Sequence, residues 1–263
     1  MKRTATFVLL AGALAAQTAL PPPLRDVGID QRLNARVPLE LGFRDESGAP
    51  VALRSYFGRR PVVLALVYYE CPMLCTMVLN GLLKSLRAIN LDAGRDFEVV
   101  TVSFDPGETP ELAAAKKQSY VERYGRPTGA AGWHFLTGEE EAIRKLTQAV
   151  GFRYKYDPAT NQFAHASAIM VITPDGRLAR YLYGIEYAPR DLRLALVEAS
   201  AGKIGTSVDQ VLLYCFHYDP ATGRYSLLIM NIIRAAGAAT VLALGLFMVV
   251  MFRRDRRRKM QRV

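Results

Sequence analysis

The stretch PVVLALVYYECPMLC, residues 61–75, joins the most apolar strand-like segment of the chain to a pair of cysteines. The run PVVLALVYY is continuously apolar and rich in valine and tyrosine, which is typical of a central strand covered on both faces. Helical periodicity begins at once, since apolar residues recur at spacings of three and four over residues 76–91. Cys71 and Cys75 are therefore predicted to lie between the carboxyl end of a central strand and the start of an amphipathic helix.

Strand-like and helix-like segments alternate over residues 36–205. VPLELGF and VALRSYF flank the turn DESGAP, a pattern typical of a hairpin. Later strands are predicted in FEVVTVSF, WHFLTG, FRYKY and HASAIMVITPDGRLARYLYG, which holds two strands joined by the turn TPDG. Helices are predicted at 111–125, 139–151 and 189–202. This order indicates an α/β fold, a three-layer sandwich with mixed strand directions and the sheet in the middle.

The N-terminal end of the chain is typical of an exported protein. Residues 1–19, MKRTATFVLLAGALAAQTA, combine a basic start, a short apolar stretch and small residues at Ala13 and Ala15. This pattern predicts a secretory signal peptide, with an uncleaved N-terminal anchor as the alternative. A proline-bearing linker, residues 20–35, follows. Under either interpretation, the domain that follows is exported.

The C-terminal end is typical of a membrane anchor. Residues 235–252, AAGAATVLALGLFMVVMF, carry no charge, and LLIMNII extends them upstream if Arg234 reaches the interface. We predict a transmembrane helix over 227–252, with a buried core helix as the alternative. The basic tail 253–263 matches the positive-inside rule for a cytoplasmic flank. We therefore expect one C-terminal span in the cell membrane, a juxtamembrane segment at 206–226, and the domain in the periplasm or an equivalent extracytoplasmic space.

The formal net charge of +10 does not by itself predict a nucleic-acid partner. Seven positive residues and one acidic residue lie within the tail 253–262, and Lys2 and Arg3 lie in the N-terminal segment. The rest of the chain is close to neutral. We therefore predict that the protein does not bind nucleic acid.

The cysteine count favours a functional pair over a structural staple. In an extracytoplasmic compartment, cysteines can form structural disulfide bonds, redox couples or metal sites. A domain stabilised by structural disulfides usually has an even and larger number of cysteines than the three found here. Cys71 and Cys75 are about one helical turn apart, a rise of ~5.4 Å, so both sulfurs can face one point. The helix N-terminus also favours thiolate. The pair can close a disulfide or bind one metal ion.

A third ligand decides what the cysteine pair can bind. Thiolates select Cu(I), and imidazole suits copper in both oxidation states. Of the three histidines, we choose His165, because it opens the strand ASAIMVI and the preceding loop is expected to lie beside the cysteine turn. A structural histidine is the alternative there, and we prefer that interpretation for His134. Cys71, Cys75 and His165 thus predict a copper site.

A second pair, Cys215 and His217, lies just before the predicted membrane helix. It could form a transient second copper site. We favour the alternative, a thiol and a histidine packed at the membrane interface, because two ligands are few for a metal site.

Four motifs together resemble the Sco/SenC family: PVVLALVYYECPMLC, SFDPGETP, WHFLTG and HASAIMVITPDG, whose histidine follows Cys75 by ninety residues. These are thioredoxin-fold copper chaperones that help to assemble the copper A centre of cytochrome c oxidase. The resemblance covers residues 36–202. It implies that Cys71, Cys75 and His165 are copper ligands and that a copper-receiving respiratory oxidase subunit is the partner.

The chain departs from the family pattern in three ways. Thr76 stands where the family usually has proline, and Glu108 stands where its acidic turn usually has a second aspartate. The predicted anchor is C-terminal where the family usually has an N-terminal helix. These departures indicate a side branch whose client can differ from the copper A centre.

Other functions use the same residues. A thiol-disulfide oxidoreductase would use Cys71 as the attacking thiolate and Cys75 as its partner, but dithiol enzymes of this fold generally carry C-x-x-C. A thiol peroxidase needs a cationic neighbour, and CPMLC has none within four residues. A zinc site lacks an obvious fourth ligand. We therefore predict a membrane-anchored copper chaperone, with an oxidoreductase that reduces the cysteines of a copper protein as the alternative.

Overall fold

The computed structural model of the protein describes residues 26–158, 160–204, 218–219, 224–225, 234, 237–245, 247–251 and 253. The chain divides into two compact units, residues 1–205 and 206–263. The strands of the first unit are β1 (Gly28–Ile29), β2 (Gly42–Arg44), β3 (Pro50–Ala52), β4 (Val62–Val67), β5 (Glu98–Ser103), β6 (Trp133–Leu136), β7 (Phe152–Asp157), β8 (Gln162–His165), β9 (Ala168–Ile172) and β10 (Leu178–Tyr183). Its helices are α1 (Leu74–Ala88), α2 (Pro110–Tyr124), α3 (Gly129–Gly132), α4 (Glu140–Ala149) and α5 (Pro189–Ser200).

Strand β4 lies at the centre of a five-stranded mixed sheet with the order β10-β9-β4-β5-β6. All six of its residues are buried, as its apolar sequence predicted. It pairs in parallel with β5 and antiparallel with β9. Because β4 and β5 are parallel neighbours, the loops that follow them leave the same edge of the sheet, where the backbone N–H of Phe104 donates to the carbonyl of Val67 at 2.8 Å. This edge carries the cysteine pair.

Helix α1 begins two residues earlier than its periodicity predicted and covers the sheet with one apolar face. Its buried residues include Cys75, Val78, Leu79, Leu82, Leu83 and Leu86. Gly81 allows a close approach, because a Cβ at this position would lie 1.8 Å from the carbonyl oxygen of Ile185. The middle of α1 therefore packs closely against the loop between β10 and α5.

The hairpin around DESGAP is confirmed, although its strands β2 and β3 are only three residues long. The segment after Ala52 continues as a short 3-10 helix, Leu53–Tyr56. Helices α2, α4 and α5 lie where the sequence predicted helices, within two residues at each end.

A separate three-stranded sheet, β1-β7-β8, corrects the sequence interpretation of the His165 region. We predicted FRYKY as a strand of one sheet and His165 as the first residue of the strand ASAIMVI. Instead β7 pairs with β8, and His165 ends β8, opposite Tyr154. The two strands are joined by a turn in which Asn161 adopts a positive φ of 53°. Strand β1 lies within residues 20–35, which we interpreted as a linker.

The second unit contains a short antiparallel pair, β11 (Tyr218–Asp219) and β12 (Arg224–Tyr225). The described residues from Arg234 to Arg253 are helical and exposed. Among the described residues, no helix combines the length and the apolar character needed to cross a bilayer. The predicted signal peptide 1–19 lies outside the described residues, as does most of the basic tail.

Candidate metal centre

Cys71, Cys75 and His165 come together at the carboxyl edge of the central sheet. One ligand atom from each, the two sulfurs and an imidazole nitrogen, lie within 4.8 Å of one another. The residues come from three different places: the turn after β4, the first turn of α1, and the end of β8. Both cysteines are buried and are free thiols, and His165 is half-buried. The predicted trio is therefore close enough to bind one ion.

The start of helix α1 polarises the sulfur of Cys71. The backbone N–H of Cys75 donates to Cys71 Sγ at 3.3 Å, so the sulfur receives one of the amide hydrogens that a helix N-terminus leaves unpaired. A hydrogen bond from the Cys75 thiol, together with this backbone N–H, holds the pKa of Cys71 well below its usual range. Cys71 is thus a thiolate at neutral pH.

The sulfur of Cys75 has the opposite character. Its side chain is only 2% exposed, and burial, reinforced by Cys71, raises the pKa of Cys75 well above its usual range. Its Sγ accepts the backbone N–H of Tyr68 at 3.3 Å and lies 3.2 Å from Nε2 of His165. The metal-free pair therefore consists of one thiolate and one buried thiol.

His165 is oriented so that one ring nitrogen faces the sulfurs. Its Nδ1 lies 2.8 Å from the carbonyl oxygen of Ala166, which assigns the ring hydrogen to Nδ1 as the donor. Nε2 then presents its lone pair to Cys75. The ring packs edge-on against Phe104 and Tyr68, at centroid distances of 5.1 and 5.9 Å. These contacts hold the imidazole in a position suited to a metal ligand.

Glu108 braces the loop that carries Cys71. Its carboxylate accepts the backbone N–H groups of Tyr69 at 2.7 Å and Glu70 at 2.6 Å, and the hydroxyl of Ser103 at 2.6 Å. Glu108 is 7% exposed, and this burial raises its pKa, while the three donors act in the opposite direction. The loop after β4 is thereby tied to the loop after β5.

In the sequence, Glu108 stood out only as a departure from the family pattern, and its contacts with the loop after β4 were not predicted. The sequence nevertheless contains a pattern that places Glu108 near Cys71. Polar residues that follow two neighbouring parallel strands are expected at the same edge of a sheet, and Glu108 follows β5 as Cys71 follows β4.

The other sequence candidates lie elsewhere. His134 is in β6, where its Nε2 lies 3.3 Å from Oε2 of Glu98 and its ring packs on Tyr56 at 4.3 Å. Cys215 and His217 lie outside the described residues.

The donor set fits copper better than zinc. Two sulfurs and one imidazole are soft or borderline ligands that favour Cu(I). Structural zinc usually takes four ligands, and the cluster found among the described residues has three members. Binding would release the proton of Cys75, since a thiolate is the ligand form.

The thiolate character of Cys71 predicts an unusual alkylation profile. In the reduced, metal-free protein, iodoacetamide should modify Cys71 at a rate that stays nearly constant from about pH 8 to about pH 5, because a lowered pKa keeps the thiolate as pH falls. The alkylation rate of an ordinary thiol, with a pKa of about 8.5, falls about tenfold per pH unit over most of this range. Mass spectrometry of the labelled peptide at each pH measures the rate. A tenfold loss per unit at Cys71 would contradict the assigned protonation state.

The first unit is thus a thioredoxin-like α/β domain that carries two cysteines and a histidine at one edge of its sheet, a set of side chains suited to thiol and metal chemistry. The SCO1/SenC family model matches residues 30–198. The chain belongs to the SCO1/SenC family.

Individual relatives agree with this family and fold. The chain is 29% identical to a SCO1 protein homolog of Bacillus subtilis strain 168 over 159 residues, which cover 57% of this chain and 75% of the relative. A candidate electron transfer protein of Aquifex aeolicus VF5 shares 28% identity and a TM-score of 0.57, over 65% of this chain and 96% of that chain. ScoI of Arabidopsis thaliana, solved with copper bound, shares the fold at 19% identity and a TM-score of 0.50, over 62% of this chain and 96% of that chain.

Proposed function

We propose that the protein is a copper chaperone in which Cys71, Cys75 and His165 bind one copper ion for delivery to a respiratory oxidase. The observation that carries the proposal is the convergence of the two sulfurs and the imidazole nitrogen within 4.8 Å. Membership of the SCO1/SenC family supports it, as does the copper bound to the Arabidopsis relative.

The arrangement of the ligands suits a cargo ion. Cys71 supplies a ready thiolate, and the lone pair of His165 already faces the cluster. A three-ligand site leaves room for a donor from the receiving protein, so that copper can move by exchange of ligands without a change in oxidation state. The chaperone then needs no redox partner for the transfer itself.

The location of the chaperone is part of the proposal and is supported by sequence. The exported domain would be held at the membrane by residues 227–252, with the basic tail in the cytoplasm. In that position the copper site would face the extracytoplasmic space.

Replacing His165 with alanine should remove most of the copper affinity, because it deletes the sole nitrogen ligand of the proposed trio. We expect a loss of at least about tenfold in Cu(I) affinity, since even outer-shell changes at metal sites typically cost ten- to a hundredfold. The measurement is a competition titration with a Cu(I)-specific chelator, with an expected stoichiometry of one copper per chain.

His134→Ala is the matched control, because it removes an imidazole that is bound to Glu98 away from the cluster. It should leave the copper affinity within about twofold of wild type, a change of less than about 0.5 kcal/mol. Unchanged affinity in His165→Ala would contradict the proposed ligand set.

A thiol-disulfide oxidoreductase remains the second candidate because of the asymmetry between the thiols. A thiolate at Cys71 beside a buried thiol at Cys75 is the arrangement that thiol exchange requires. The two functions are separated by an insulin-reduction assay on the copper-free protein. Rapid turnover together with weak copper binding would favour the oxidoreductase.

A further inference from the structure

A groove of about 810 Å³ opens beside the metal centre. One wall is the loop that carries Cys71, represented by Glu70 and Pro72, and the opposite wall is the β7–β8 hairpin, represented by Tyr156 and Phe163. Asp105 and Glu140 also line it. The groove belongs entirely to the first unit, and none of its lining residues is a proposed copper ligand.

The charge of this groove has one sign. Its lining includes three acidic residues, Glu70, Asp105 and Glu140, and neither lysine nor arginine. Within the part of the chain that the structure describes, no ion pair involves any of these three carboxylates. The groove thus offers negative charge that the described residues do not neutralise by salt bridges, and a cationic occupant would complement it.

The spacing of the carboxylates argues against a single metal ion as this occupant. Among the described residues, the cluster whose ligand atoms lie within 4.8 Å of one another is the Cys-Cys-His trio, and the three groove carboxylates form no such cluster. Charges distributed along a groove fit an extended segment with several cationic side chains better than one ion.

Aromatic rings supply the second recognition element. Tyr156 is 46% exposed, although it packs against Phe163 at a centroid distance of 5.2 Å. Tyr154 and Tyr68 also line the groove. Guanidinium and ammonium groups bind favourably over such ring faces, so rings and carboxylates select the same kind of side chain.

The aromatic lining leads from the groove to the metal centre. Phe163 contacts Tyr68 at 5.4 Å, and Tyr68 contacts His165 at 5.9 Å between ring centroids. At the other wall, Pro72 directly follows Cys71. A segment bound in the groove would therefore lie beside the thiol pair.

We propose that this groove binds an extended, arginine- or lysine-containing segment of the protein that exchanges copper with the centre. The cationic character of the segment follows from the groove itself, and its identification with a copper-exchanging protein rests on the proposed function. Binding in the groove brings the ligands of the partner next to Cys71, which shortens the transfer path.

The test uses the full chain in a non-ionic detergent without metal, and a fluorescein-labelled peptide, acetyl-Ala-Arg-Ala-Arg-Ala-Arg-amide. Fluorescence anisotropy should show binding that weakens with added salt, as expected of an exposed electrostatic contact. The double variant Glu70→Gln/Glu140→Gln should bind at least about fivefold more weakly, since it neutralises two of the three carboxylates that line the groove. A peptide with glutamine in place of arginine should bind neither protein appreciably.

The control variant, Glu122→Gln/Glu186→Gln, changes the net charge equally at exposed carboxylates outside the groove. It should bind the arginine peptide as wild type does. Equal weakening in both double variants, or no binding by wild type, would overturn the groove proposal.

A copper titration of the same wild-type preparation is read separately. Peptide binding without copper binding would leave the groove proposal standing and remove the copper function. Copper binding without a groove-specific peptide effect would leave the copper function standing and overturn the groove proposal.

Discussion

Cys71→Ser should lower the Cu(I) affinity of the protein at least about a thousandfold, which is about 4 kcal/mol at 1.4 kcal/mol per factor of ten. The substitution exchanges a thiolate, the soft anionic ligand that selects Cu(I), for a neutral hydroxyl. The effect should exceed that of His165→Ala, because Cys71 supplies a negative charge as well as a donor atom. Competition titration with a Cu(I) chelator measures it.

The variant should fold normally, since a serine hydroxyl at position 71 can still accept the backbone N–H that Cys75 now donates to the sulfur. An unchanged thermal midpoint of the metal-free protein would check this. Cys215→Ser is the matched control, and we expect it to bind copper as wild type does. A Cys71→Ser protein with near-native affinity, or a Cys215→Ser protein that loses it, would show that the ligands are elsewhere.

Glu108→Ala should destabilise the metal-free domain by about 2–4 kcal/mol, because it leaves two backbone N–H groups and one hydroxyl without their acceptor at a buried position. For a domain of this size, such a loss lowers the thermal midpoint by roughly 5–15 °C. Copper affinity should also fall, since Tyr69 and Glu70 are the residues that hold Cys71 in place. Thermal unfolding measures the loss of stability, and chelator competition on the same protein measures the loss of copper affinity.

Glu111→Ala provides the comparison, because Glu111 is an exposed acidic residue in the first turn of the helix that follows Glu108. We expect a change within about 0.5 kcal/mol for this variant. If Glu108→Ala were equally mild, the three hydrogen bonds would not be bracing the metal loop.

The central part of the fold could be predicted from the sequence because its signals are local. A continuous apolar run marked β4, and apolar residues at helical spacing marked α1. Cys71 lies between these two elements and Cys75 lies in the first turn of α1, so their position at a sheet edge followed from the general placement of ligands in α/β folds.

The position of His165 depends on the pairing of β8 with β7, for which the sequence pattern gives no clear indication. Strand β8 has one exposed and three half-buried residues, so it lacks the alternation that marks a strand. Its register is set by β7 and by the left-handed turn at Asn161. The histidine was therefore assigned to the following strand, although its proximity to the cysteines was expected.

The role of Glu108 needed information from two loops. Its three donors come from the loop after β4 and from β5, so the contact exists only because those strands are parallel neighbours. The opposite pKa shifts of the two cysteines also depend on burial and on hydrogen bonds between loops. Spacing along the sequence cannot supply these quantities.

The most direct test of the copper site is X-ray absorption spectroscopy of the full chain loaded with one equivalent of Cu(I). The first shell of the copper should contain two sulfur atoms and one imidazole nitrogen, and the nitrogen contribution should disappear in His165→Ala. A first shell without nitrogen in the wild-type protein, or one that His165→Ala leaves unchanged, would contradict a centre formed by Cys71, Cys75 and His165.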